Sequence, residues 1–387
     1  MSNPTPLAIL DLVPISSGSN APQALRNSID LARRAEEFGY ARYWFAEHHL
    51  NPGVAGTSPA VVIALVAGAT EHIRLGAGAV QLGHRTALST VEEFGLLDAL
   101  FPGRIDLGLG RSGAPVKRPG ADGPASAASL LPKKAAHTED FTTSEGLLIP
   151  APFDYTRLLG SPRLPLQRLL LQQPNAESQG YTEQIADILA LLRGTYATAD
   201  GVEAHVVPGE GAQLELWVLG SSGGESAKVA GVNGLRFASN YHVSPSSVLE
   251  AVEGYRAAFE PAEHAEGLSK PYVSVSADVV VAPDEATARE LATGYGPWVR
   301  SIRAAEGAIQ FPTPAEAAAY EWPEGGRELV QDRVDTQFVG TAKHVADRLE
   351  VLREATGADE LIVTTITHDH ADRVRSFELL AQEWAAR

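Results

Sequence analysis

Apolar residues fall into short runs, separated by longer stretches in which they recur every three or four positions. The runs LAILDLV (7–13), ARYWFAE (41–47), IRLGAGAVQL (73–82), RIDLGLG (104–110), LELWVLG (214–220), LRFASNY (235–241), VSVSADVVVA (273–282) and ADELIVTTI (358–366) predict strands. Several are nearly continuously apolar, the pattern of strands buried on both faces. Helices are expected at 22–38, 58–70, 87–100, 178–193, 222–232, 245–259, 284–293 and 341–356, with 370–386 closing the chain. Eight strands, each followed by a helical segment, is the count of an α/β protein built as a (β/α)8 TIM barrel. Periodicity alone leaves an open doubly wound sheet as the alternative. We expect a single domain over 1–387.

Two stretches interrupt the alternation and are expected as long insertions. Residues 112–177, rich in Pro, Ala, Ser and Gly, separate the fourth strand from its helix, and 294–338 follow the seventh strand's helix. Loops of this length are lids, substrate-binding segments or disordered. The first carries Lys117, Arg118, Lys133 and Lys134, either as solvated loop charge or near an anionic ligand.

Composition removes some classes of function. With no cysteine, thiolate nucleophiles, disulfides and Cys-ligated metal centres are excluded. A formal net charge of −17 argues against non-specific nucleic-acid binding. No apolar run approaches a bilayer-spanning length, and the start MSNPTPLAILDLVP lacks the basic and long apolar regions of a signal peptide. A cytoplasmic protein that binds neither membrane nor nucleic acid is expected.

In a barrel the chemistry sits at the C-terminal ends of the strands, and there the sequence places Glu47-His48-His49, Gly76-Ala77-Gly78-Ala79, Gly110-Arg111-Ser112-Gly113, Gly220-Ser221-Ser222-Gly223-Gly224, Ser239-Asn240-Tyr241-His242 and His368-Asp369-His370. GLGRSG (108–113) matches a dinucleotide-binding pattern, but that fingerprint must open a helix, and a Pro-rich loop follows instead. Arg111 suits a phosphate or carboxylate, or else a structural ion pair. The turn Gly220, Ser221, Ser222, Gly223, Gly224 runs directly into a helical pattern, which makes an anion site or an ordinary N-cap turn. Glycine inside the third strand marks close packing or close approach by a ligand. His48, His49, His84, His368 and His370 admit a metal reading, but adjacent strand residues point to opposite faces, so His48 and His49 rarely share an ion. Asp369 also reads as a helix cap. No metal is expected. Trp44, Tyr241, His242, Trp298 and Trp322 are candidates to line a substrate pocket, or else to pack.

Taken in order, LAILDLVPI, ARYWFAEHH, HIRLGAGAVQL, FPGRIDLGLGR, LELWVLGSS and the closing ADELIVTTI with RVRSFELLA resemble the bacterial luciferase-like flavin-dependent monooxygenase family, especially its single-chain, non-luminous members. The similarity runs over 7–111 and 178–385; the stretch 112–177 departs from the short version of the family. The resemblance implies a barrel that binds FMN, reduced by a separate flavin reductase, and a homodimer. It implies a monooxygenase acting on paired donors with incorporation of O2, in which a flavin peroxide oxygenates a small organic substrate. By the same resemblance His48 is the acid/base beside the flavin, with Glu47 orienting it or completing the pocket floor. Gly78–Ala79 matches the family's non-proline cis bond under the ring, and Arg111 with the Ser221–Gly224 turn matches the phosphate site. A site of this kind must exclude water, and 112–177 is the expected lid. A deazaflavin-dependent reductase or dehydrogenase on the same barrel, and a flavin-binding protein without catalysis, are the alternatives. Aldehydes, ketones and aromatic polyketides all stay open as substrates.

Overall fold

Strand β1 (Leu7–Asp11) shows how the layers form. Alternate side chains of a strand face opposite sides. Leu7 and Ile9 therefore join the large core between sheet and helices, while Ala8 and Leu10 join a second cluster with Trp44, Trp217 and Ile362. In β2 (Arg42–Phe45), Tyr43 and Phe45 take the first side and Trp44 the second. The protein is seen in a computed structural model that describes residues 5–111, 137–154, 161–174, 176, 178–262, 264 and 267–387. The remaining barrel strands are β3 (Arg74–Ala77), β4 (Ile105–Gly110), β5 (Glu215–Leu219), β6 (Arg236–Asn240), β7 (Val273–Val281) and β8 (Glu360–Thr364). Among the described residues these eight pair in parallel, in chain order, and β8 pairs with β1. The sheet is closed, so the barrel is the architecture and the open sheet is not.

Helices α1 (Ala21–Phe38), α2 (Pro59–Ala67), α3 (Ala87–Leu100), α4 (Tyr181–Leu192), α5 (Glu225–Val232), α6 (Val248–Ala258), α7 (Ala342–Thr356) and α8 (His370–Ala385) alternate with the strands. Local chemistry sets their ends. The Asn20 side chain accepts the Gln23 N–H at the start of α1, and Gly39 (φ 85°) ends that helix in the left-handed region. Asp369 caps α8, accepting the Ala371 N–H.

The predicted strand 73–82 is interrupted. β3 ends at Ala77, the Gly78–Ala79 peptide is cis, and Val80–Gln81 pairs again with β4. Crowding explains the small residues here. A Cβ on Gly76 would lie 2.6 Å from Asp106 Cβ, one on Gly78 would lie 2.9 Å from Leu10 Cδ1, and one on Gly108 would collide with the Ala77 carbonyl.

Both insertions are present. Phe141–Thr142 and Leu148–Ile149 form an antiparallel pair, and Arg163–Leu171 is helical. Lys117, Arg118, Lys133 and Lys134, with much of the expected lid, lie outside the described residues. The second insertion folds into the short helices Tyr295–Arg303, Pro314–Ala318 and Gln331–Asp335. Backbone hydrogen bonds tie it to the loops after β1 and β2: Phe311 N–H to Ile15 O (2.9 Å) and Gly53 N–H to Ala308 O (2.7 Å). It thereby lies across the C-terminal mouth of the barrel.

Charged residues at the starts of the strands fill the opposite end. Arg42 Nη1 lies 2.5 Å from Asp106 Oδ2, and its Nε lies 2.7 Å from Glu360 Oε1. Arg74 reaches Asp106 Oδ1 at 2.6 Å, and Arg236 reaches Glu215 at 3.4 Å. Next along the barrel axis the Trp44 indole donates to Asp106 (2.8 Å) and packs edge-on against Trp217, with centroids 5.0 Å apart. Arg42→Met should leave Asp106 and Glu360 buried without their cation and cost about 3–5 kcal/mol. Thermal unfolding checks this; an unchanged midpoint would refute it.

Candidate active site

Beyond Trp44 the barrel opens into a cavity of about 290 Å³. Its apolar lining includes Leu10, Leu12, Ile302, Ile362 and Ile366; its polar lining includes His48, Ser239, Asn240, His242, Asp278 and Arg333. Most lie at the C-terminal ends of strands, as barrel chemistry requires.

β2 ends at Phe45, and the side chains of Glu47, His48 and His49 part in the loop that follows it. His48 lines the cavity, and its Nδ1 is buried without a hydrogen-bond partner. Glu47 turns away. Its Oε1 lies 2.9 Å from His49 Nε2 and 3.0 Å from His84 Nε2, and its Oε2 accepts the Gln81 N–H at 3.0 Å. The Gln81 side chain also donates to the Glu47 carbonyl at 2.6 Å. The expectation that Glu47 orients His48 is therefore corrected. The carboxylate makes no hydrogen bond to His48; it ties β2 to the Gly78–His84 segment behind the cavity wall. Burial raises the Glu47 pKa, but the donors from His84, Gln81 and His49, with Arg85, hold it below the usual carboxylate value.

Glu47, His49 and His84 bring three ligand-type atoms together. His48, His368 and His370 do not join them: His368 lies 2.9 Å from the Ser17 carbonyl and His370 2.9 Å from Asp30. Arg85 Nε stands 3.7 Å from the shared Glu47 oxygen. A permanent cation there opposes a metal ion.

Electrostatics within the cavity follow from burial. It lowers the pKa of His48 to about 4, with His49 adding to the shift and Glu47 opposing it. His242 is lowered to about 3 by burial, then by Arg333 and His48. Both imidazoles are neutral near pH 7, so each offers one donor and one acceptor nitrogen. His242 Nδ1 lies 2.6 Å from Ser276 Oγ.

Of the other expected residues, Trp44 and Gly78 line the cavity, and Ala79 sits behind Gly78 against Gly110. Tyr241 does not reach it. It follows the end of β6 at Asn240, and its ring packs into the outer core, where its hydroxyl donates to the Leu148 carbonyl (2.7 Å). Trp298 lines the cavity from the second insertion, while Trp322 lies outside, under Arg327. Gly220, Ser221, Ser222, Gly223 and Gly224 form the turn between β5 and α5, directly after the cavity-lining Leu219. Arg111 meets the first residue of α5: its Nη1 lies 3.1 Å from Glu225 Oε2. The ion-pair reading of Arg111 is thus observed, in a half-exposed pair of a kind worth about 0–1 kcal/mol. A dianion at the helix N-terminus would compete with it easily. A Cβ on Gly223 would lie 2.8 Å from the Glu250 carbonyl, so the turn admits no side chain there.

Asp278 and Arg333 escape a reading by motif. Asp278 had a usable signal, as the one carboxylate in the buried run VSVSADVVVA. Arg333 had none; tertiary folding alone carries it from the second insertion into the barrel. One outcome follows from the histidines. His48 should stay neutral above pH 5 and protonate near pH 4, because the folded state resists the charge. Between about 6.5 and 4 the unfolded chain takes up the proton first, so this site's contribution to stability falls as pH drops. An NMR titration with a His48 midpoint near 6.5 would contradict it.

The sequence profile described as "Luciferase-like monooxygenase" matches residues 5–130 and 174–360. The chain is similar to YvbT of Bacillus subtilis (strain 168), 35% identical over 386 residues, covering 99% of this chain and 98% of that one. It is 32% identical to a luciferase-like monooxygenase of Escherichia coli (strain K12), over 96% and 95% of the two chains. Among solved structures it resembles apo-MsnO8 (27% identity, TM-score 0.72, 98% of each chain). Two more distant structures share the fold over at least 98% of each chain. One is the oxygenating constituent of 3,6-diketocamphane monooxygenase from Pseudomonas putida, in complex with FMN (18%, TM-score 0.66). The other is an F420-dependent secondary alcohol dehydrogenase with an F420–acetone adduct (16%, TM-score 0.59). Among the described residues no helix is long and apolar enough to cross a membrane.

Proposed function

Because the chain belongs to the luciferase-like monooxygenase family, we propose that it is an FMN-dependent monooxygenase. It acts on paired donors, taking FMN reduced by a separate reductase together with O2, and oxygenates a small organic substrate. The observation that carries this reading is the convergence on one cavity of Gly78, the neutral His48 and the strand end leading to the Ser221–Gly224 turn. A homodimer in the cytoplasm completes the proposal.

The residues present fit the cofactor. His48 Nδ1, Asn240 Oδ1, Ser239 Oγ and Thr364 Oγ1 are buried without partners among the described residues, along a cavity whose apolar wall includes Leu10, Leu12, Ile362 and Ile366. Buried polar atoms need partners, and a flat heteroaromatic ring with polar edges supplies them. Gly78 leaves room for such a ring, Trp44 forms the floor, and Arg111 with the 220–224 turn holds the phosphate. Reduced FMN, when bound, supplies the chemistry that activates O2. His48 holds a proton acceptor and a donor at that surface, and the insertion after β7 keeps water from the mouth.

A deazaflavin-dependent dehydrogenase is the second reading, raised by the F420-dependent relative of the same fold. Reduced-FMN turnover over a panel of aldehydes, ketones and aromatics, read by product mass and O2 uptake, separates the two. Hydride transfer without O2 uptake would overturn the monooxygenase.

His48→Ala should keep FMN affinity and lower turnover by about 10²–10⁴-fold, the range of a general acid–base group. Loss of FMN binding would make His48 structural instead. Arg111→Ala should cost FMN about 1.5–3 kcal/mol, roughly 10- to 150-fold in affinity, and leave riboflavin unchanged. Equal losses in equilibrium titrations would remove the phosphate assignment.

A further inference from the structure

One wall of the cavity is built from the second insertion and β7. Asp278, on β7, is buried. Its Oδ2 accepts hydrogen bonds from the Tyr295 hydroxyl and from Arg333 Nη2 (3.3 Å). Arg333 Nε and Nη2 also donate to the Tyr295 oxygen, at 3.1 and 2.8 Å. Its remaining nitrogen, Nη1, meets no acceptor among the described residues. The Trp298 ring stacks at 6.2 Å on Tyr295, and its indole N–H is buried and unpartnered. Arg333 and Trp298 both line the cavity.

These two groups can only donate. The buried Trp298 N–H left without an acceptor costs free energy, and Arg333 presents a further donor to the same cavity, so this wall calls for an acceptor on the ligand. Charge narrows the choice. Asp278 balances Arg333, and the two cavity imidazoles are neutral. An anion entering this space would meet no net positive charge to offset its desolvation. A neutral oxygen acceptor avoids that cost. Position narrows it again: in a closed barrel of eight strands β7, which carries Arg333's partner Asp278, lies opposite β3, which leads into Gly78.

We propose that Arg333 and Trp298 bind the oxygen of a neutral carbonyl substrate, such as a ketone, aldehyde or ester, on the side of the cavity opposite Gly78. The alkyl part of such a molecule would lie against Ile302, Ile362 and Ile366, which line the same space. This rests on the reading above that the cavity holds flavin and substrate together.

The test uses three ligands of one chain length, 2-octanone, 2-octanol and octanoate. Calorimetry on the full-length protein gives affinities, and infrared spectroscopy of carbonyl-13C-labelled 2-octanone gives the bound carbonyl stretch. Wild type should bind 2-octanone at least 10-fold more tightly than octanoate, with the carbonyl band shifted to lower wavenumber than in water. Trp298→Phe, which keeps the ring and removes the N–H, should weaken the ketone several-fold and reduce the shift. Arg333→Gln combined with Asp278→Asn leaves no lone buried charge; it should abolish the ketone's advantage over the alcohol and leave FMN affinity unchanged. Tighter binding of octanoate, an unshifted carbonyl band, ketone affinity untouched by both variants, or loss of FMN binding in the double variant would each overturn the proposal. Failure of the monooxygenase reading would look different: the ketone would still bind with a shifted band, but reduced FMN and O2 would give no oxygenated product.

Discussion

Asp106 sits inside the barrel with no solvent exposure and accepts hydrogen bonds from Arg42, Arg74 and the Trp44 indole. One carboxylate on β4 thus joins β2 and β3 and fixes the ring that floors the cavity. A charge so deeply buried is tolerated only when fully paired and hydrogen-bonded. Arg42 carries the pairing onward to Glu215 and Glu360, which reaches β5 and β8. Closing the barrel and placing Trp44 are consequences of one network.

The active end reverses that logic. Its imidazoles are desolvated and neutral, and its single pair of charges cancels. Several of its polar atoms have no partner among the described residues. The strand starts pair their charges with one another and serve stability, whereas the strand ends leave polar groups along the cavity for a ligand. Small residues on β3 and β4 let backbone approach where a side chain would collide, and this keeps the cavity open beside Gly78.

Much of this was legible beforehand. All eight strands were visible as apolar runs, because strands covered by helices must be apolar on both faces. His48 and His49 part as expected, though in the loop after β2 and not within the strand, and the resemblance in motif order agrees with the family match. Three things were not legible. Glu47 was expected to serve His48, but the loop after β2 carries its carboxylate away, to the neighbouring His49 and to His84, which only the folded chain brings near. Tyr241 looked like a pocket residue beside His242, yet the turn after β6 sends it into the core. Arg333 lies 55 residues from Asp278 in the chain, and no local pattern marks such a pair.

By itself the sequence determined the eight strands with their alternating helices, the strand-end positions of the chemistry and the residue types available there, while closure into a barrel is seen in the pairing of β8 with β1. These depend on periodicity and short-range sterics, which act between neighbours along the chain. Tertiary structure alone decided which polar groups satisfy one another and which remain free to meet a ligand. That choice is made by contacts between residues far apart in sequence, such as Arg333 with Asp278, where burial makes an unpaired group costly and a paired one stable.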